Sequence, residues 1–388
     1  MVVKSSGSVL VIVFTSFLAH PVIFHGQGSS VKTCAAFATD GTLATGTIDK
    51  SVLETRLAVR GGQATVIRTT TSNPSGCEQG FSGDGKWLIT VLPAEKLTIQ
   101  ILDVKRQELH RQFSSDWHTF HSMALEQGYR SPFLGGFGPD DAIILWRYVP
   151  EEGRSPNDAS IVHLHYQRWS IEGELISDQD LGVLGHAVGG NEPIVGAEFK
   201  QLWVSDNCGY ECYRHYRLDG ERAVSDGTLT FPTNDAAVPT YLAASNRFLT
   251  VSGEGTKQKA VLLDDSGKSY SQVELPFFPN LLKPLVPDWF YVHQLVRSAD
   301  DRFIAIGRSR VAWVLVDTDR DWGSEVLILD TDSLAVLSTL NVGRGGIHSL
   351  AIDHWDGTIH LVGYWGGRWH DLIRDQQGRS DWRESHGS

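Results

Sequence analysis

The residues best equipped for chemistry cluster in the last quarter of the chain. Asp317, Asp319, Asp321 and Glu325 set carboxylates at alternating positions. Such oxygen donors suit a hard cation such as Ca²⁺, and no other cofactor is identified. A helix–loop–helix calcium site wants Gly at its sixth position; Trp322 stands there and Gly323 follows. A solvated acidic hairpin loop would have the same sequence. Tyr364-Trp365-Gly366-Gly367-Arg368-Trp369-His370 is the most ligand-like stretch. Aromatic faces beside a guanidinium suit stacking on a sugar or another planar ligand. Trp is equally at home packing one element on another. Arg308 and Arg310 are expected to add positive charge on the same side.

Histidines recur ahead of apolar stretches, at His118, His121, His186, His293 and His348. Converging imidazoles could hold a metal or act as general bases, or simply line a wet channel. His163-Leu164-His165 presents two imidazoles on one strand face, with no obvious third ligand. The four cysteines allow three pairings. Cys34 and Cys77 each stand six or seven residues before an Asp-Gly turn, so they occupy equivalent places in neighbouring units. Cys208 and Cys212 are separated by three residues; a zinc knuckle would want a second Cys/His pair nearby, and none has that spacing. The favoured pairing is therefore Cys34–Cys77 with Cys208–Cys212. No nucleophile elbow, phosphate-binding glycine loop, dinucleotide fingerprint or paired-histidine zinc motif occurs. No catalytic residue is assigned.

The elements that must carry these residues are announced by Gly80–Asp103. That stretch gives a strand end, a Ser-Gly-Asp-Gly turn, a strand, a short loop and a strand closing on Asp. Degenerate copies of the turn start at Ala38, Gly138, Ala244, Ser298 and His354, with another near Phe199. Their spacing is about 44 to 59 residues, close to that of propeller blades. Alternating β-branched and aromatic residues around each turn favour strands. Gln107–Gly128 comes nearest to an amphipathic helix, and weakly. The fold expected is all-β: a seven-bladed β-propeller of four-stranded antiparallel blades. Its blades fall at roughly 31–72, 73–115, 130–182, 190–232, 238–276, 290–342 and 345–376. Radial packing buries both faces of sheets that would be unstable alone.

The turn and its terminal Asp strand resemble bacterial YVTN/WD40-like seven-bladed propellers, whose turn reads Ser-Pro-Asp-Gly-Lys. The likeness covers nearly the whole chain after residue 28, without the Gly-His and Trp-Asp dipeptides of true WD40 blades in register. It implies a fold and little about activity.

Lys4, the apolar run Val9–Phe24 and the small residues Gly26 and Gly28 describe a signal peptide at 1–28. Residues 29–376 would form one propeller domain and 377–388 a polar tail. Export, to the periplasm or beyond the cell, agrees with paired cysteines. The lack of an Asn-x-Ser/Thr sequon leans toward a bacterial envelope. A net charge of -12 argues against nonspecific nucleic-acid binding, and no segment beyond the signal could span a bilayer. The reading is a monomeric exported binding module for a protein or carbohydrate. The alternative is a propeller enzyme, a lactonase-like hydrolase or polysaccharide lyase, with its site at the channel mouth.

Overall fold

Alternating apolar and polar residues, cut by Gly, Asp and Asn, fold as strands throughout the chain. A computed structural model describes residues 31–60, 62–71, 74, 76–94, 97–115, 134–138, 140–150, 161–185, 194–196, 200–205, 212–219, 221–231, 239–252, 257–276, 288–312, 320–343, 346–374 and 380–384. Blade 1 holds β1 (Lys32–Phe37), β2 (Leu43–Asp49), β3 (Val52–Ala58) and β4 (Ala64–Thr70). Blade 2 holds β5 (Glu78–Phe81), β6 (Trp87–Leu92), β7 (Leu97–Asp103) and β8 (Glu108–Ser115). Blade 3 holds β9 (Leu134–Phe137), β10 (Ile143–Pro150), β11 (Ile161–Trp169) and β12 (Leu175–Gly185). Blade 4 holds β13 (Ile194–Val195), β14 (Gln201–Ser205), β15 (Cys212–Asp219) and β16 (Arg222–Thr230). Blade 5 holds β17 (Thr240–Leu242), β18 (Arg247–Ser252), β19 (Lys259–Leu263) and β20 (Ser269–Glu274). Blade 6 holds β21 (Asp288–Arg297), β22 (Phe303–Ala312), β23 (Arg320–Asp330) and β24 (Val336–Gly343). Blade 7 holds β25 (Ser349–Trp355), β26 (Thr358–Trp365), β27 (Arg368–Arg374) and β28 (Ser380–Glu384).

Every blade is a four-stranded antiparallel meander in sequence order, and the described residues contain no helix. The fold is the expected all-β, seven-bladed propeller. Each first strand faces the axis: β1 touches β5 and β25, β5 touches β9, β13 touches β17, and β21 touches both β17 and β25. Among the described residues no strand is exchanged between blades, and β1 against β25 closes the ring through side chains. Residues read from sequence as a polar tail include β28, the outermost strand of blade 7, paired with β27. Part of the stretch nearest to a helical pattern, Glu108–Ser115, is the outer strand β8. An outer strand has one wet face, so its sequence is polar and loses the apolar signature of the strands inside.

Burial shows why the middle strands are the apolar ones. Every residue of β6 and β7 is buried, because neighbouring blades cover both faces. Each such Ile or Leu contributes about 1.5–3 kcal/mol by leaving water.

The recurring turn is a hydrogen-bonded device. In blade 2 the Asp84 carboxylate accepts from the Ser82 hydroxyl at 2.7 Å and the Lys86 amide at 2.9 Å. Ser82 Oγ in turn accepts from the Trp87 amide at 3.0 Å. Blade 6 repeats it: Asp300 accepts from Ser298 at 2.7 Å and Arg302 at 3.2 Å, and Ser298 accepts from Phe303 at 3.0 Å. The last turn residue is left-handed, which is why Gly85 (φ 70°) or Asp301 (φ 61°) stands there. In blade 5 the turn is Ala243–Asn246, one residue earlier than its sequence suggests, with Asn246 (φ 52°) in that position. Blade 7 departs further, with a two-residue Asp356-Gly357 turn joining Trp355 to Thr358.

Six of the seven blade-to-blade seams hold a buried apolar cluster drawn from both blades. Ala44 and Leu57 meet Leu88 and Leu102, and Ile48 and Leu53 meet Leu92, between blades 1 and 2. Ile89 and Ile99 meet Ile143 and Leu145 next, then Trp146 and Tyr166 meet Val204 and Tyr216. Trp203 and Tyr213 meet Phe248 and Val261, and Leu249 and Leu262 meet Ile304 and Leu327. Ala305 and Ile328 meet Ile352, Leu361 and Trp365 between blades 6 and 7. Among the described residues no such cluster joins blades 7 and 1.

Cys34 and Cys77 form a disulfide with a Cα–Cα distance of 5.6 Å, as their equivalent positions suggest. Gly46, opposite Cys34 in β2, leaves room for it: a Cβ there would lie 2.7 Å from the Cys34 sulfur. Cys212 is also disulfide-bonded. Its expected partner Cys208, like residues 1–28, lies outside the described residues.

Candidate functional site

Within each blade the Asp turns lie at one end. The second-to-third-strand loops and the segments leading into the inner strands lie at the other. At that second end of blade 7, three of the sequence's candidate side chains meet: His348, Tyr364 and Trp369. His348 is exposed just ahead of β25, its amide donating to the Tyr364 carbonyl at 3.0 Å. Its ring stands 6.1 Å from that of Tyr364, which meets the Trp369 ring edge-on at 5.3 Å. Arg368 is exposed where β27 begins; it pairs with Trp365, so it leaves the strand on the face opposite Trp369. Gly366 and Gly367 form the turn before it; a Cβ on either would touch nothing within 4 Å. Trp369 also anchors the group, donating from Nε1 to Thr47 Oγ1 of blade 1 at 3.0 Å.

Trp365 points the other way. It is 4% exposed, lies in the cluster between blades 6 and 7, and stacks flat on His370 at 4.3 Å. Gly363 makes that packing possible, since a Cβ there would collide with the Trp365 ring. Arg308, expected to present charge at this end, is 1% exposed. It pairs with Glu325 directly across β22 and β23, and reaches blade 5 by donating to Gln258 Oε1 at 3.1 Å and to the Pro276 carbonyl. Beside it the Ser309 and Ser324 hydroxyls bond to each other. Burial pulls Arg308 below its ordinary value, while Glu325 opposes that shift. This is a cross-blade tie with its donors engaged, not an open site.

The remaining candidates divide by what is described. His293 is the extra residue of a bulge in β21, between Val292 opposite Arg308 and Gln294 opposite Gly307. Arg310 stands in β22 opposite Phe290, and Asp321 in β23 opposite Val311. Asp317, Asp319, His118, His121 and His186 lie outside the described residues. Among the described residues, no three or more His, Cys, Asp or Glu side chains are placed to share a metal ion. No helix among them is long and apolar enough to cross a membrane.

One polar array exceeds what the sequence showed. His163, His165, Gln167 and Trp169 alternate along β11 and so share one face. That face is the one turned to blade 2, where the Trp169 ring stacks on Phe113 at 5.1 Å. Trp169 Nε1 donates to Gln167 Oε1 at 3.2 Å, and Gln167 Nε2 donates to Asp178 Oδ2 at 2.7 Å. The other Asp178 oxygen is 2.8 Å from His165 Nδ1. Asp180 Oδ2 is 2.9 Å from His163 Nδ1, and its Oδ1 accepts from the Gly182 amide at 2.7 Å. Burial raises the Asp180 carboxyl, but the Gly182 amide and the His163 hydrogen bond, with the two imidazoles nearby, outweigh it and hold the group below its ordinary value. The two aspartates were missed because β12 is bulged opposite Leu164, which hides the pairing from a simple count. The readable signal was Asp178-x-Asp180 one hairpin after His163-x-His165.

No protein-family model and no curated protein matches the chain.

Proposed function

We propose that this chain is an exported β-propeller binding module that takes a carbohydrate at the end of blade 7. The observation that carries the reading is the exposed His348 and the half-buried Trp369, packed about the buried Tyr364 ring, beside the open Gly366-Gly367 turn that leads into the exposed Arg368. The accessible part of the Trp369 ring suits the apolar side of a sugar ring, and the exposed Arg368 guanidinium at the adjoining turn adds a charged, directional donor. Export is supported by the Cys34–Cys77 bond and the second disulfide at Cys212, which persist in oxidising compartments. The test is a glycan array carrying neutral and uronate oligosaccharides, probed with the wild-type chain and Arg368→Ala. Binding of at least one glycan, weakened tenfold or more in Arg368→Ala and in His348→Ala, is the expected result. Binding to none, or equal binding by all three proteins, overturns it.

A further inference from the structure

We propose that His163 and His165 form a two-histidine site for a borderline transition-metal ion, Zn²⁺ or Cu²⁺, on the face of blade 3 turned to blade 2. The argument starts from what holds the rings. Both oxygens of Asp178 are engaged, one by His165 Nδ1 and one by the Gln167 amide. Both oxygens of Asp180 are engaged as well, by His163 Nδ1 and the Gly182 amide. An ionised carboxylate only accepts, so each imidazole places its proton on Nδ1. That fixes the tautomer in which Nε2 carries a lone pair. A carboxylate behind the ring and a bare Nε2 in front is the arrangement by which proteins orient metal-binding histidines and raise their basicity.

The support behind the rings continues into the blade. Gln167 is held by Trp169, whose ring is stacked on Phe113, so the support runs into the seam between blades 2 and 3. Residues two apart on a strand are separated by about 6.6 Å. Both rings lean the same way along the strand, each to the aspartate one pairing further on, so a shared ion at about 2.0–2.1 Å from each nitrogen requires the rings to rotate until both Nε2 atoms face it. Both rings keep access to solvent, with 27% and 20% of their side-chain surfaces exposed. Two protein nitrogens leave the other coordination positions to water, as in sites that exchange or act on a ligand rather than closed structural ones. Imidazole donors favour Zn²⁺ and Cu²⁺ over Ca²⁺ or Mg²⁺. The aspartates are therefore supports and not ligands, which agrees with the absence of a larger ligand cluster among the described residues.

The test is calorimetric titration of the intact protein with Zn²⁺ alone, beside His163→Ala, His165→Ala, Asp178→Asn and Asp180→Asn. Either histidine change should remove one binding event. Either aspartate change should weaken that event 10- to 100-fold while leaving its stoichiometry. Because variants can disturb the blade, the wild-type protein loaded with one equivalent of Cu²⁺ provides a second readout by pulsed electron paramagnetic resonance. Coupling to two imidazole nitrogens, reduced to one in His165→Ala, supports the site. Zn²⁺ binding unchanged by both histidine substitutions, or Cu²⁺ spectra unchanged in His165→Ala, overturns it.

Discussion

Two seams of the ring are built on opposite principles. The seam between blades 5 and 6 surrounds the buried Arg308–Glu325 pair with Leu249, Leu262, Ile304 and Leu327. The closing seam between blades 7 and 1 has no such apolar cluster among the described residues. It rests on directional contacts: Trp369 to Thr47, Phe37 edge-on to Trp355 at 5.6 Å, and the ion pair of Arg60 with Asp356. His360 supports Trp355 from behind, stacked at 3.6 Å, and Gly41 lies against the same indole. The difference follows from chain connectivity. Blades 5 and 6 are adjacent in the chain, so their apolar surfaces meet at high effective concentration. Blades 7 and 1 meet only when five others stand correctly between them. Apolar contact is non-directional, whereas an indole hydrogen bond and an edge-on ring pair accept one registry.

The sharpest way to break this contrast is at Glu325. Glu325→Ala leaves Arg308 buried without its partner and should destabilise the chain by about 3–5 kcal/mol in denaturant titration. Arg308→Met with Glu325→Leu should recover most of that loss, because the pair's desolvation is then removed as well. The blade 1–2 seam gives an intermediate case. Cys34→Ser with Cys77→Ser should cost about 2–4 kcal/mol, read as an unfolding midpoint below that of wild type without reductant. At the closing seam, Trp355→Ala should cost about 2 kcal/mol, less than a fully buried Trp because the indole is only half-buried.

The closing seam should also be the acid-sensitive one. Burial is the larger cause, and the Arg60 charge the smaller, that lowers His360 from 6.5 to about 4. Its folded value lies below its unfolded value, so its contribution is complete above about pH 6.5 and lost as pH falls toward 4. Thermal midpoints of wild type should drop across that window, and His360→Phe should flatten the drop. Arg60→Ala should move the midpoint least, by about 0.5 kcal/mol or nothing, because both partners of that pair are solvent-exposed.

Legibility from sequence tracks how local the deciding physics is. The blades could be counted because the clearest turns carry an Asp that bonds a following amide beside a left-handed residue, a signal contained in a few residues around Asp40, Asp84 or Asp300. The Cys34–Cys77 bond was legible for the same reason, as a repeated offset from that turn. Trp365 and Trp369 could not be told apart. They share a strand-turn-strand but face opposite ways, one into Ile352 and Leu361, the other to Thr47. Arg308 looked like a surface charge because its partners Gln258 and Glu325 are 50 and 17 residues away. The His163–His165 pair was visible, but its carboxylate supports depended on a bulge that no periodicity reveals.

That every blade is one unbroken stretch of chain has a consequence for how the molecule is made. Blade order along the polypeptide is blade order around the disc, so a chain emerging N-terminus first grows as an arc. Until Ser349–Glu384 is complete, that arc has two uncovered flanks, one on blade 1 and one on the newest blade. The newest flank is apolar and is covered by the next blade. The flank on blade 1 waits longest, and it is the one that carries Thr47, Arg56 and Arg60 in place of an oily face. The surface that stays exposed for the whole of synthesis is thereby the one least prone to stick to a neighbour.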